Sequence, residues 1–149
     1  TTTDNLAAAE GADMVIIAVK PWLAEGVVKQ IVSAFNSPEK MLVSVVADTS
    51  FATLREWVSQ SECQPAIFRV IPNTAISVGE SMTFVSADGA SQEQTDTVMG
   101  IFDKMGEAML VGEKMLEVGM ILASCGIAFA LRYIRAAQSH LLSQPFRRL

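Results

Sequence analysis

The sequence predicts an α/β fold: a mostly parallel sheet with helices between its strands, followed by a long helix with no strand after it. Three observations carry this. Short apolar runs at residues 14–19, 41–47 and 66–71 have strand length and many β-branched residues, and near-continuous apolarity marks strands covered on both faces. Between them lie longer stretches whose apolar residues recur at helical spacing. Beyond Gly112 the strand pattern stops, while residues 113–142 keep the helical one, as when an α/β domain hands over to a helical one.

The elements come in order along the chain. The opening "TTTDNLAAAEGAD" is polar and acidic, unlike a secretory signal, which is basic and then apolar. The run at 14–19 stops at Lys20-Pro21, and proline suits the first turn of a helix because its missing N–H has no partner there anyway. Leu23, Val27, Ile31 and Phe35 then place a helix over 22–35. Residues 41–47 form the second strand, after which Ser50 is positioned to cap a helix carrying Leu54, Trp57 and Val58. The third strand is 66–71 and the fourth 82–86; whether the fourth runs antiparallel or comes after a crossover stays open. "SQEQ" at 91–94 is a capping box opening a helix through Val98, Ile101, Phe102 and Met105. A short fifth strand covers 108–111. The last helix shows Met115, Val118, Ile121, Leu122, Phe129, Leu131 and Ile134. That is too much apolar surface to stand alone, so a partner is expected to cover it. The division into domains is therefore set at 1–112 and 113–149.

Composition narrows the function classes. At 149 residues, half of them hydrophobic and 18% charged, the chain can bury a real core and is not of the disordered type. A net charge of −5, with no basic run before the very end, argues against nucleic acid or an anionic membrane as partner. The longest apolar tract, 118–131, falls short of the ~20 residues that span a bilayer. Cys63 and Cys125 lie far apart in sequence and His140 is the single histidine, so no zinc set is expected. Unpaired thiols fit a reducing cytosol, and a soluble cytoplasmic protein is expected. His140 reads as a helix-end residue favoured by the dipole. The carboxylate pairs Glu10/Asp13 and Glu113/Glu117 read as solvated surface, and the methionines as core or interface filler.

The chemistry must therefore lie in the strand ends. There is no G-x-G anywhere, and "GEAMLVGEK" at 106–114 has the wrong spacing for a phosphate loop. In open α/β sheets ligands bind beyond the carboxyl ends of the strands. Three such ends carry unusual residues: Ala18-Val19-Lys20-Pro21, Ala47-Asp48-Thr49 and Pro72-Asn73-Thr74. Turn chemistry alone is the alternative, because Pro and Asn both favour turns.

Taken together, "ADMVIIAVKPW", "FRVIPNTAISVGE" and "LASCGIAFALRYIRAA" resemble the pyrroline-5-carboxylate reductase family. That family shows A-V-K-P after one strand, R-V-M-P-N-T after another and S-G-S-G-P-A-Y in its helical region. Here Ile71 takes the methionine place, and the third motif keeps Gly126, Ala128 and an aromatic, Phe129. The resemblance runs from Asp4 to Ala137, and the tail "QSHLLSQPFRRL" departs from it. It implies the C-terminal part of a Rossmann-type parallel sheet domain followed by the first long helix of an all-helical dimerisation domain. It further implies reduction of 1-pyrroline-5-carboxylate to L-proline with NADPH or NADH, in a homo-oligomer assembled through the C-terminal helix. Carried across, Ala18, Val19, Lys20, Pro21, Val45, Val46 and Ala47 would line the cofactor. Asn73 would lie near the nicotinamide, where an amide offers both donor and acceptor. No catalytic residue and no metal ligand is assigned. Asp48 stands where the family usually has glycine. The resemblance also implies a glycine-rich loop before Thr1 and a substrate-holding S-P-G-G-T-T segment after the long helix. These 149 residues contain neither, so they are expected to be inactive alone. Two other readings are a hydroxy-acid dehydrogenase of similar build, for which Lys114 is not in the setting of a catalytic lysine, and a non-enzymatic α/β interaction module.

Overall fold

The structure, a computed structural model, describes residues 1–143. The last six positions of the departing tail lie outside the described residues. The elements are α1 (Asn5–Ala9), β1 (Met14–Ile17), α2 (Pro21–Gln30), β2 (Met41–Ser44), α3 (Phe51–Trp57), β3 (Ala66–Ile71), β4 (Ser81–Asp88), α4 (Gln92–Asp103), β5 (Gly106–Leu110), α5 (Glu113–Met120) and α6 (Gly126–Ser143). A π-helical turn, Ile121–Cys125, joins α5 to α6.

The five strands lie in sequence order in one sheet. β1, β2 and β3 are parallel, β4 runs antiparallel to β3, and β5 is parallel to β4. The direction left open for the fourth strand is thereby settled. A 3-10 turn at Thr74–Val78 reverses the chain, and Gly79 completes it at φ 74°, a left-handed conformation that glycine adopts without steric cost. β1 and β5 are the two edges. On the β5 edge the Ala108 N–H donates to Asp103 Oδ1 at 2.8 Å. On β1, Ile16 is 46% exposed.

Both faces of the central strands are covered, which is why they read as unbroken apolar runs. Leu42 and Ile67 pack with Val28, Ile31, Phe35, Leu54 and Val58 on one side. Their neighbours Val43 and Phe68 pack with Val85, Val98 and Phe102 on the other. Successive strand residues point to opposite faces, so each run feeds two cores at once.

Several expectations need correction. Ile31 and Phe35 are buried as expected, just beyond the end of α2, but within α2 the core residues are Ala24 and Val28, each one position after the expected Leu23, which is 51% exposed, and Val27. β1 and β2 end at Ile17 and Ser44, two and three residues before their apolar runs do. The Val45 N–H still donates to the Ile17 carbonyl before the chain leaves the sheet. α1 was not anticipated, although Asp4 was there to cap it and accepts from the Leu6 and Ala7 N–H groups. The capping box is present as expected, with Ser91 and Gln94 satisfying each other's backbone N–H groups. The final helix, read as one uniform segment, contains the π turn. Its stretch Glu113–Leu141, 29 residues containing an 18-residue window of mean hydropathy 1.7, is long and apolar enough to cross a membrane by length and composition. Counting only the uninterrupted apolar tract understated it.

Candidate functional site

Strand register gathers the three unusual ends at one border of the sheet. Ile17 lies beside Ser44 and Ser44 beside Arg69, so the segments leaving β1, β2 and β3 emerge next to one another. Pairing parallel strands forces this, because their carboxyl ends point the same way.

Above the β2 and β3 ends is a cavity of about 500 Å³, with Ala47 and Asp48 from the turn after β2, Arg69 and Ile71 from β3, and Glu117 and Met120 from α5 in its walls. Ala18 and Val19 border a smaller cavity of about 320 Å³ beside β1. Lys20 is the N-cap of α2 and Pro21 its first residue. Val45 is half-buried, and Val46 is buried in the core beneath, so of the three β2-end residues Ala47 alone has its side chain on a cavity wall. Asp48 has φ 63°, the single described non-glycine residue with positive φ.

Asn73 is 7% exposed and fully engaged by its own chain. Its N–H donates to Ser81 Oγ at 3.2 Å, and its Oδ1 accepts from the Ala75 N–H at 3.0 Å. Its Nδ2 donates to the Ala123 carbonyl in the π turn at 3.1 Å. One amide thus caps the 3-10 turn after β3 and reaches 50 residues along the sequence to the last helical segment.

Two residues were missed. Arg69, 8% exposed inside an apolar strand, extends Nη1 to Glu113 Oε1 at 2.9 Å. The same carboxylate oxygen accepts from the Phe51 N–H at the start of α3 at 2.7 Å. Glu113 is therefore a three-way tie joining α3, β3 and α5, and not the solvated surface expected of it. An anion in the first turn of α5 also meets the positive end of that helix. The available signal was the charge itself: an arginine within a buried strand requires a partner. Among the described residues no cluster of three or more His, Cys, Asp or Glu could hold a metal. Cys63 and Cys125 are both free thiols.

Comparisons with known proteins agree with one another. The family described as NADP oxidoreductase, coenzyme F420-dependent, matches residues 1–48. A pyrroline-5-carboxylate reductase of Arabidopsis thaliana is 33% identical over 84% of this chain and 44% of its own length. Pyrroline-5-carboxylate reductase 2 of Dictyostelium discoideum is 30% identical over 93% of this chain and 50% of its own length. The chain thus spans about half the length of the curated relatives it matches. Among solved structures, the pyrroline carboxylate reductase of Plasmodium falciparum, with NADP bound, overlays at a TM-score of 0.84 and 24% identity, covering 98% of this chain and 55% of that one. A pyrroline-5-carboxylate reductase from Coxiella burnetii overlays at 0.86 and 23% identity, covering 97% and 54%. At such identities the overlays establish a shared fold.

Proposed function

We propose, from the premise that this chain is a relative of the pyrroline-5-carboxylate reductases over about half their length, that it is the middle of an enzyme reducing 1-pyrroline-5-carboxylate to L-proline. The observation that carries this reading is the set of three adjacent strand ends, two of them beneath the 500 Å³ cavity walled by α5.

The cofactor is NADPH or NADH, which when bound supplies hydride to the C=N carbon. The residues here fit its ring end better than its charged middle. Ala47 and Ile71 give the cavity neutral walls, while these 149 residues hold no G-x-G turn to bring backbone N–H groups against a pyrophosphate. Ala18, Val19, Lys20 and Pro21 form the neighbouring rim, with Lys20 an exposed cation. Val45, Val46 and Ala47 offer backbone to the ligand, and Ala47 a methyl wall. Asn73 acts by holding the π turn over the site, its polar atoms being committed to Ala75 and Ala123. The apolar residues of α6 meet a second copy of the chain, giving a homo-oligomer. The protein works in the cytoplasm, in proline biosynthesis.

The test is NADPH-dependent reduction of 1-pyrroline-5-carboxylate by the complete protein that contains this chain, followed by loss of cofactor absorbance and by appearance of proline. Turnover that collapses when Ala47 is replaced by Trp, with the fold retained, supports the reading. Cofactor consumption that yields no proline overturns it.

A further inference from the structure

We propose that Glu113 is a positioning residue for the reaction: one of its oxygens sets how α5 is turned at the cavity, and so where Glu117 and Met120 stand against the bound ligand. The role rests on the reductase reading, since hydride transfer is the step that such placement governs.

A single atom joins three walls of the 500 Å³ cavity. Glu113 Oε1 accepts from Arg69 Nη1 at 2.9 Å and from the Phe51 N–H at 2.7 Å. Arg69 is itself in the β3 wall, with Ile71 two residues on. Phe51 opens α3 between Ser50 and Thr53, which line the same cavity. Glu113 opens α5, whose Glu117 and Met120 form the third wall. Residues at i, i+4 and i+7 share one face of a helix. The face that the oxygen anchors is therefore the face that the cavity meets. The anchor does not swing at its far end, because Arg69 is buried within a strand.

The packing of α5 on the sheet lacks such direction. Leu116 is buried, and Gly119 lies so close to the Phe84 ring that an added Cβ would sit 2.6 Å from it. That contact sets how near α5 lies to β4, but a bare glycine presents no side chain to resist turning about the helix axis. Hydrogen bonds do resist it, being directional, and Glu113 accepts two in the first turn. Past Met120, Asn73 Nδ2 holds the Ala123 carbonyl, so Glu117 and Met120 stand between two anchors. A rotation of about 20° carries an atom ~5 Å from the helix axis by ~2 Å. A misplacement of about 1 Å near the reacting atoms can cost roughly a hundredfold in rate.

Two variants of the complete protein that contains this chain separate reach from charge. Glu113→Asp keeps the charge and shortens the arm, so one oxygen no longer meets both donors with α5 in place. Glu113→Gln keeps the reach and an accepting oxygen. Two readouts are taken on each. The first is the methyl resonance of Met120 in protein labelled with methyl-13C methionine, identified by its loss in Met120→Leu. The second is turnover of 1-pyrroline-5-carboxylate with NADPH and with NADPH deuterated at the transferred position. In Glu113→Asp the Met120 resonance should move, kcat should fall roughly tenfold or more, and the isotope effect should rise as hydride transfer becomes limiting. KM for NADPH should stay within about twofold, because the anchor acts on placement rather than on uniform binding. Glu113→Gln should keep the resonance near its original place and most of the turnover. A loss of stability alone would leave the isotope effect of the folded enzyme where it was. An unmoved Met120 resonance in Glu113→Asp overturns the proposal, and so does an unchanged isotope effect, or a glutamine variant as impaired as the aspartate one. Should Glu113→Asp fail to fold, Arg69→Lys shortens the same tie from the other side and carries the same expectations. No proline formed by the unaltered protein overturns the reductase reading instead, and the Met120 resonance then decides on the anchor by itself.

Discussion

Asp48 holds a left-handed φ of 63° at the lip of the larger cavity, a conformation costing an L-residue roughly 1–2 kcal/mol. Glycine there removes the strain but frees the unfolded chain. Asp48→Gly should therefore change stability by less than ~1 kcal/mol. Asp48→Val, β-branched in a region that disfavours it, should cost ~1–3 kcal/mol. Urea unfolding distinguishes them, and equal midpoints would mean the residue leaves that conformation in solution. Asn73 invites a finer dissection. Asn73→Ala loses the cap and the tie to Ala123, a cost of ~1–3 kcal/mol, whereas Asn73→Ser keeps a capping oxygen and loses the longer reach. An intermediate stability for the serine variant is expected. Although it lies beyond a strand end, Asn73 is buried with its polar atoms paired. Pro72-Asn73-Thr74 was legible as a turn because turn chemistry is local. The Arg69–Glu113 pair was not, because 44 residues separate its members and only the tertiary fold brings them together.

At the scale of elements, two glycines hold packed segments together. Gly106 has φ 139°, and a side chain there would run into the backbone of Ser81, its partner at the start of the β4–β5 pairing. Gly106→Ala should cost more than ~2 kcal/mol and loosen β5 first, seen as faster hydrogen exchange at Val111, whose N–H donates to Val85. Gly119→Ala must displace the Phe84 ring and should cost ~1–3 kcal/mol. Restoring stability with the double change Gly119→Ala, Phe84→Leu would identify that contact as the cause. The strands were legible from apolar runs, but the runs at β1 and β2 overshoot because backbone pairing, not hydrophobicity, decides where a strand stops. Val46 shows the difference: it is buried in the core yet lies outside β2. The π turn left no mark in the apolar spacing, which does not distinguish a four-residue pairing from a five-residue one over so short a stretch.

For the whole molecule, burial on both faces of the sheet and the parallel run of β1 to β3 were legible, and the direction of β4 was not. A run such as Ser81–Asp88 looks the same whether it returns by a hairpin or a crossover. Two measurements address function at this scale. The 149 residues alone should neither bind NADPH tightly nor reduce 1-pyrroline-5-carboxylate, since the glycine turn that cradles a pyrophosphate is absent from them. Steady cofactor consumption above a protein-free control would contradict that. Light scattering should report a mass above 16.0 kDa, because Phe129, Leu131 and Ile134 are exposed on α6. A clean monomer at high concentration would rule out self-association through this helix.

The uneven sheet edges have a consequence for handling these 149 residues by themselves. An unpaired strand border is a template onto which further chains can add, and short β-branched stretches without proline or charge add most readily. The β5 border has Asp103 occupying one of its N–H groups. The β1 border offers Met14-Val15-Ile16-Ile17 without a charged residue. Slow fibrous aggregation on storage should therefore begin at β1. A gatekeeper change, Ile16→Lys, should lengthen the lag before thioflavin fluorescence rises, while an equivalent lysine at Met109 on β5 should leave that lag nearly as it was.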